Sequence, residues 1–269
     1  STHALGRKSK AKFDEYDSGI RKLLSLNEDY DVIYTSSATE ANNMAIKGIT
    51  ESYKGFGKKI LVTEFEHNSI NATLGYLKTE GYDIEFFDCQ NLTDLKNKMS
   101  NDVILVISIL IDSETGLMFD VDAIAKIIND FPNTHHLVDA TQAIGKFDIA
   151  LNKYEMVSFT PHKFGGITGS GVLVKKKSTI LTPIIHGGLS QSIYRSGSVP
   201  LGIVASIYKS LEIAINNRND NYHKVKEIHD YLVNNLKKIN NVKFNSFDNP
   251  YIVNISISNI KSKDIVDFF

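Results

Sequence analysis

Apolar residues in this chain fall into short runs, separated by stretches in which they recur every three or four positions. The runs predict strands at Asp31–Ser36, Lys59–Thr63, Ile84–Asp88, Val103–Ile109, Leu137–Ala140, Met156–Phe159 and Gly171–Lys175. The periodic stretches predict helices at Thr39–Tyr53, Ser69–Thr79, Leu92–Met99 and Val121–Ile128. Strands that alternate with helices in this way build a mostly parallel sheet covered by those helices, so the expected class is α/β. After Gly202 the texture changes. Two long helical patterns, about Ile203–Asn216 and Asn221–Ile239, lead to "VKFNSF" and "YIVNISIS", which alternate as antiparallel strands do. The expected division is a large domain over residues 1–202, followed by connecting helices and the start of an α+β small domain over 203–269. The final "KSKDIVDFF" reads as a helix opening at which the sequence stops, so the small domain is expected to be incomplete.

Composition removes several function classes. Thirty Lys and Arg stand against 31 Asp and Glu, scattered along 269 residues, which leaves no net field to attract nucleic acid or an anionic membrane. No apolar run reaches membrane-spanning length and no secretory segment opens the chain, and the single cysteine excludes an internal disulfide framework. A reducing cytoplasm is the expected compartment.

Four predicted strand ends carry chemistry. "VSFTPHKFGG" delivers Lys163 to a glycine-marked turn, where the lysine is either a solvated loop residue or an amine held to form a Schiff base. "HHLVDATQAIGK" ends a parallel strand on Asp139, at the carboxyl edge where open α/β sheets bind ligands, and an acid behind Leu137 and Val138 needs a cationic partner. "YTSSATEANN" is a strand running into a helix start; Ser37 and Thr39 serve there as ordinary caps or flank a bound phosphate. "EFEHNSI" puts His67 at another helix start, as a cap or as a ring that stacks and shuttles protons. Each has a structural explanation by itself. Together a phosphate nest, an imidazole, an acid and an amine make up the parts that pyridoxal 5′-phosphate requires.

These stretches, with "DSETG" and "RSGSVP", keep one order from residue 34 to 200, and in that order the chain resembles the class V aminotransferase family of fold-type I pyridoxal-phosphate enzymes. It is most similar to the cysteine desulfurases; "STHALGRKSKAKFDE" resembles the family's early helix, and the family's opening segment is expected to precede it. The resemblance implies a seven-stranded large domain and pyridoxal 5′-phosphate as cofactor, with no metal. Lys163 is implied as the lysine that binds the aldehyde, Asp139 as partner of the pyridine nitrogen, Gln142 as partner of the ring hydroxyl, and His67 as the stacking residue and acid/base. Ala38, Thr39, Ser158 and His162 match phosphate binders. Ser198 matches the residue that reaches the phosphate of a neighbouring subunit, which implies a homodimer. Lys175, one strand further on, serves as the comparison whose replacement leaves the cofactor's colour unchanged.

The implied activity is removal of sulfur from L-cysteine, leaving alanine and a persulfide for iron–sulfur cluster assembly or tRNA thiolation, with a sulfur-acceptor or scaffold protein as a further partner. A selenocysteine lyase, a cysteine lyase or a silent cofactor-binding partner protein is the alternative. Asp112-Ser113 replaces the family's usual Asn-Asn, and an acid there is expected to repel a substrate carboxylate. "HGGLSQS" keeps only the glycines of its family counterpart. The family's catalytic cysteine loop is expected beyond the last residue, while Cys89 in "FFDCQN" reads as a small half-buried side chain.

Overall fold

The computed structural model describes residues 3–188, 192–246 and 249–264. Helix α1 (Ala4–Leu23) leads into β1 (Tyr30–Thr35), α2 (Ala38–Tyr53), β2 (Lys59–Thr63), α3 (Asn68–Thr79), β3 (Asp83–Phe87), α4 (Leu92–Lys98) and β4 (Val103–Ile109). Then come α5 (Val121–Ile128), β5 (His135–Asp139), β6 (Met156–Phe159) and β7 (Gly171–Lys176), followed by α6 (Leu201–Asn216), α7 (Arg218–Leu236), β8 (Val242–Phe244) and β9 (Ile255–Ile257).

Uninterrupted apolar runs such as "VILVISI" need cover on both faces, and all of β4 is buried near the middle of a seven-stranded sheet ordered β1-β7-β6-β5-β4-β2-β3. Only β7 runs against its neighbours; the other pairings are parallel. Six strands therefore end at one edge. Side chains alternate between two apolar layers: Leu61 joins Ile20, Val106, Val138 and Leu211 on one face, while Ile60 and Val62 join Met44, Ile49, Ile70 and Leu74 on the other. Helices α2 and α3 supply the second layer. Helices α1 and α6 meet over the first, where a Cβ at Gly19 would lie 2.4 Å from the Tyr208 ring. Strands β8 and β9 pair only with each other. Among the described residues no helix is long and apolar enough to cross a membrane.

The predicted elements form, with shifts that have physical causes. Strand β1 stops at Thr35, because Ser36 donates its N–H to Glu40 Oε2 at 2.6 Å and Ser37 caps α2. Strand β5 begins two residues early, since His135 and His136 are buried with partners. His135 Nδ1 lies 2.6 Å from Glu155 Oε1, and His136 Nε2 lies 2.8 Å from Ser108 Oγ. Burial pushes the His136 imidazole down to about 4, so it enters the sheet neutral. The strand expected over "YIVNISIS" shrinks to Ile255–Ile257; the Asn254 carbonyl still accepts the Asn245 N–H at 3.0 Å, while its Nδ2 donates to Glu114 O at 3.0 Å. Residues Ser262–Asp264 are helical, as the ending predicts. Leu189–Gln191 of "HGGLSQS", Phe247 of "VKFNSF" and Ile265–Phe269 lie outside the described residues.

Candidate active site

Asp139 closes β5 at the shared strand edge and is buried. Its Oδ1 accepts the Thr141 N–H at 2.9 Å and its Oδ2 accepts from Asn42 Nδ2 at 3.1 Å, but among the described residues no cation pairs with it. The same Asn42 amide donates to Ser69 Oγ at 3.0 Å, and that hydroxyl lies 2.9 Å from His67 Nδ1. Asp139 and His67, read separately from sequence, are thus joined through α2 and α3. His67 also caps α3, its Nδ1 accepting the Ser69 N–H at 3.1 Å. A nitrogen that accepts an N–H is unprotonated, so the neutral ring carries its proton on Nε2, on an exposed side chain. Both readings of His67 as cap and as proton carrier are compatible: each uses a different nitrogen.

Around Asp139 the structure leaves polar atoms without partners: Asn42 Oδ1, Thr141 Oγ1 and Ser158 Oγ are buried and unbonded. Ser158 stands beside Asp139 in register on β6. Buried polar groups in folded proteins are satisfied, so this cluster fits a polar ligand. Glu66 adds a second acid nearby. It is buried, its Oε1 lies 2.5 Å from Thr63 Oγ1 and its Oε2 is unbonded. Burial, helped by the charges of Asp139 and Asp112, raises its carboxyl well above the usual range. A raised carboxyl keeps its proton in the folded state after the unfolded chain has lost it, so stability falls as pH rises above about 4.3. Glu66→Gln removes this component. The variant's advantage over wild type is expected to grow by up to about 1.4 kcal/mol per pH unit, until the folded carboxyl ionises. Urea melts across the acid-to-neutral range measure it, and parallel curves for the two proteins would refute a neutral Glu66.

Lys163 lies in a short 3-10 turn, Pro161–Phe164, directly after β6. Its side chain is exposed, and among the described residues no hydrogen bond or carboxylate engages its Nζ. The turn ends at Gly165 with φ +91°, a conformation glycine adopts without strain. Thr160 Oγ1 donates to Ser170 O at 2.8 Å, so the 2.9 Å contact with His162 Nδ1 has the imidazole as donor. Burial and the neighbouring Lys163 ammonium lower the proton affinity of His162. The turn after β5 packs on this one: a Cβ at Gly145 would lie 2.8 Å from Phe164 Cβ. There Lys146 Nζ donates to Gln142 Oε1 at 2.8 Å, and burial and Lys163 hold that ammonium below the ordinary lysine value.

At the start of α2 the Ser37 hydroxyl accepts the Glu40 N–H at 3.1 Å, and the Ser37 carbonyl accepts the Ala41 N–H. Ala38 and Thr39 then hold the first-turn N–H groups that have no intrahelical acceptor, where an anion is favoured. Gly171 presses against this turn. A Cβ there would sit 2.2 Å from the Ser37 carbonyl carbon, so β7 requires glycine as its first residue. Arg195 Nε donates to Glu40 Oε1 at 2.9 Å and ties the "RSGSVP" stretch to the same helix end. Ser198, three residues on, is exposed in the wall of a groove of about 860 Å³ between α1, β1 and residues 192–201. None of Lys163, Asp139, Gln142 or His67 lines that groove.

Among the described residues, one sheet edge thus carries a lysine without a hydrogen bond or ion pair at its amine, a buried carboxylate without a cation, an imidazole and a helix N-terminus. The aminotransferase class-V family model matches residues 1–269. The chain belongs to that family. Among its class-V relatives, cysteine desulfurase IscS of Buchnera aphidicola subsp. Baizongia pistaciae is 32% identical over an alignment covering 98% of this chain and 68% of the relative. A solved NifS-like protein superposes with a TM-score of 0.91 at 24% identity, over 99% of this chain and 76% of the other. The NifS-like protein of Rickettsia africae ESF-5 gives a TM-score of 0.86 at 26% identity, over 98% and 75%. The mixed α/β architecture with a seven-stranded, mostly parallel sheet is that of these proteins.

Two residues of this class-V chain behave differently from their sequence context. Asp112 is buried and consumed by its own turn: Oδ2 accepts from Thr115 N at 2.7 Å and from Thr115 Oγ1 at 2.5 Å, and Oδ1 from Glu114 N at 3.3 Å. The Asp112 charge also contributes to raising the carboxyl of buried Glu66. Cys89 is buried in the apolar core, and burial pushes its thiol up to about 12, so it holds no thiolate at neutral pH. Asn42, Thr160, Glu66 and Lys146 were not singled out by sequence. Asn42 alone carried a signal, as a polar residue on a helix stripe otherwise made of Ala41, Met44 and Ala45.

Proposed function

We propose that this class-V chain binds pyridoxal 5′-phosphate and acts as a cysteine desulfurase, taking sulfur from L-cysteine and leaving alanine. The observation that carries the reading is Asp139, a buried carboxylate with two hydrogen-bond donors and no protein cation among the described residues. A pyridinium N–H supplies the missing positive partner. The first-turn N–H groups of Ala38 and Thr39 would hold the phosphate, with Ser158 Oγ and His162 as further candidates and Gln142 at the ring hydroxyl. When bound, the cofactor supplies an electron sink for the substrate's α-carbon.

The chain's own groups do the rest. Lys163 Nζ is free to bind the aldehyde and, once released, to take the α-proton as a neutral amine. His67 Nε2 carries a proton at the exposed end of a ring fixed by its other nitrogen. Asn42 and the Thr141 N–H fix the orientation of the Asp139 carboxyl, which would hold the ring nitrogen. The chain's single cysteine does not supply the sulfur acceptor, so persulfide formation needs a thiol outside these 269 residues. We propose a cytoplasmic homodimer in which Ser198, exposed on its groove wall, faces the second subunit. The small domain is proposed to start after Gly202; the separate β8–β9 sheet supports this, although Val204, Ile207 and Leu211 of α6 pack in the large core.

Asp139→Asn tests the reading. The variant is expected to retain cofactor while exchange of the substrate α-proton with solvent deuterium falls by about 10²–10³-fold, the effect of removing one preorganised charge. Near-normal exchange would make Asp139 a structural residue.

A further inference from the structure

Gln142 presents an amide with two chemically different ends, and which end faces the cofactor decides which form of the ring hydroxyl it stabilises. Its Oε1 lies 2.8 Å from Lys146 Nζ. An ammonium has donors and no acceptor, so the amide end turned to Lys146 must be oxygen. Lys146 is itself held. It lies one residue after Gly145, whose φ of +78° and missing Cβ let this turn press on Phe164 in the lysine turn. Its Nζ also sits 5.7 Å from the centre of the Tyr251 ring, a cation–π contact. Tyr251 packs edge-on against Phe147 at 5.6 Å and is anchored by its N–H to Asn249 Oδ1 at 2.9 Å.

We propose that Lys146 is a positioning residue that locks the Gln142 amide with Nε2 free to donate, so that the site favours the ionised ring oxygen of the bound cofactor. The inference rests on the pyridoxal-phosphate reading above. It also makes the Asn249–Asn254 segment part of the cofactor site's support. Tyr251 backs Lys146, while Asn254 Nδ2 and Ser246 Oγ donate to the carbonyls of Glu114 and Thr115 in the Asp112 turn.

The test compares wild type, Lys146→Met and Lys146→Arg, each also in a Gln142→Ala background, titrated with pyridoxal 5′-phosphate. Absorption, cofactor affinity and thermal unfolding are recorded without substrate. Lys146→Met is expected to move the bound cofactor's absorption from the visible toward the near ultraviolet and to weaken binding roughly tenfold, the loss of one charge-assisted hydrogen bond. Lys146→Arg should restore both, and in the Gln142→Ala background Lys146→Met should add nothing. An unchanged spectrum and affinity in Lys146→Met would overturn the proposal. So would an equal effect with Gln142 absent, which would mean that the lysine acts through its charge alone, and so would a spectral change that tracks only a fall in unfolding temperature. Wild type that binds no cofactor would remove the underlying reading as well; wild type that binds while Lys146→Met is silent removes this inference alone.

Discussion

Lys163→Ala is expected to abolish covalent retention of pyridoxal 5′-phosphate while leaving the fold intact. The side chain is exposed and, among the described residues, tied to nothing by hydrogen bond or ion pair, so its loss should change stability by no more than about 0.5 kcal/mol. Borohydride reduction of the cofactor-loaded protein followed by peptide mass mapping is the measurement. Wild type should carry the reduced adduct on Lys163 and the variant on no residue. Lys146 is the informative competitor, being the lysine that feels the Lys163 charge across the Gly145–Phe164 contact. An adduct on Lys146 in wild type would reassign the amine.

Lys175→Ala is expected to do the opposite. This lysine lies in β7, one strand beyond the lysine turn, and has no solvent exposure. Its Nζ is 3.0 Å from Asp31 Oδ2, donates to Thr179 O at 2.9 Å and to Lys176 O at 3.0 Å, and lies 4.2 Å from the Tyr194 ring centre. Removing it leaves two carbonyls and a partly exposed carboxylate short of a partner, which costs about 1–3 kcal/mol. Lys175 is therefore not the indifferent comparison that its position suggests, and any loss of colour in the variant must be read beside its unfolding curve. Lys175→Met, which keeps the stem, should recover part of the loss. A urea midpoint close to wild type for Lys175→Ala would show that Asp31 and the carbonyls find water without cost.

Sequence disclosed what local pattern determines. Lys59–Thr63, Val103–Ile109, Met156–Phe159 and Val121–Ile128 are legible to the residue, because apolar run length and period end where burial ends. Lys163, Asp139 and His67 are legible as candidates because each is a polar group placed just where an apolar run stops. What holds them was not legible. Asn42 reaches Asp139 across 97 positions and Ser69 across 27, and neither distance leaves a periodic trace. The histidines at the start of β5 read as a boundary because an unpaired imidazole is costly to bury; Glu155, just before β6, and Ser108, on β4, offset part of that cost. Asp112 reads as a free acid because the turn that consumes it is visible only once Thr115 folds back. Cys89 reads as half-buried and is buried in the core, where burial rather than spacing sets its thiol.

The reversal of β7 has a mechanical consequence for the lysine. In a wholly parallel sheet, the segment after β6 would cross to the opposite edge before rejoining the sheet. Here β7 runs back alongside β6, pairing Val172 with Phe159, and the Thr160 hydroxyl bonds the Ser170 carbonyl ten residues on. Lys163 thus rides on a short tethered bight with little entropy to gain by opening. Under the proposed function, Lys163 would release the cofactor's aldehyde carbon and later regain it by rotating its own four-carbon stem, on the picosecond-to-nanosecond scale of exposed side chains. The backbone beneath it stays clamped throughout. Cutting the tether with Thr160→Val should therefore slow recapture more than release.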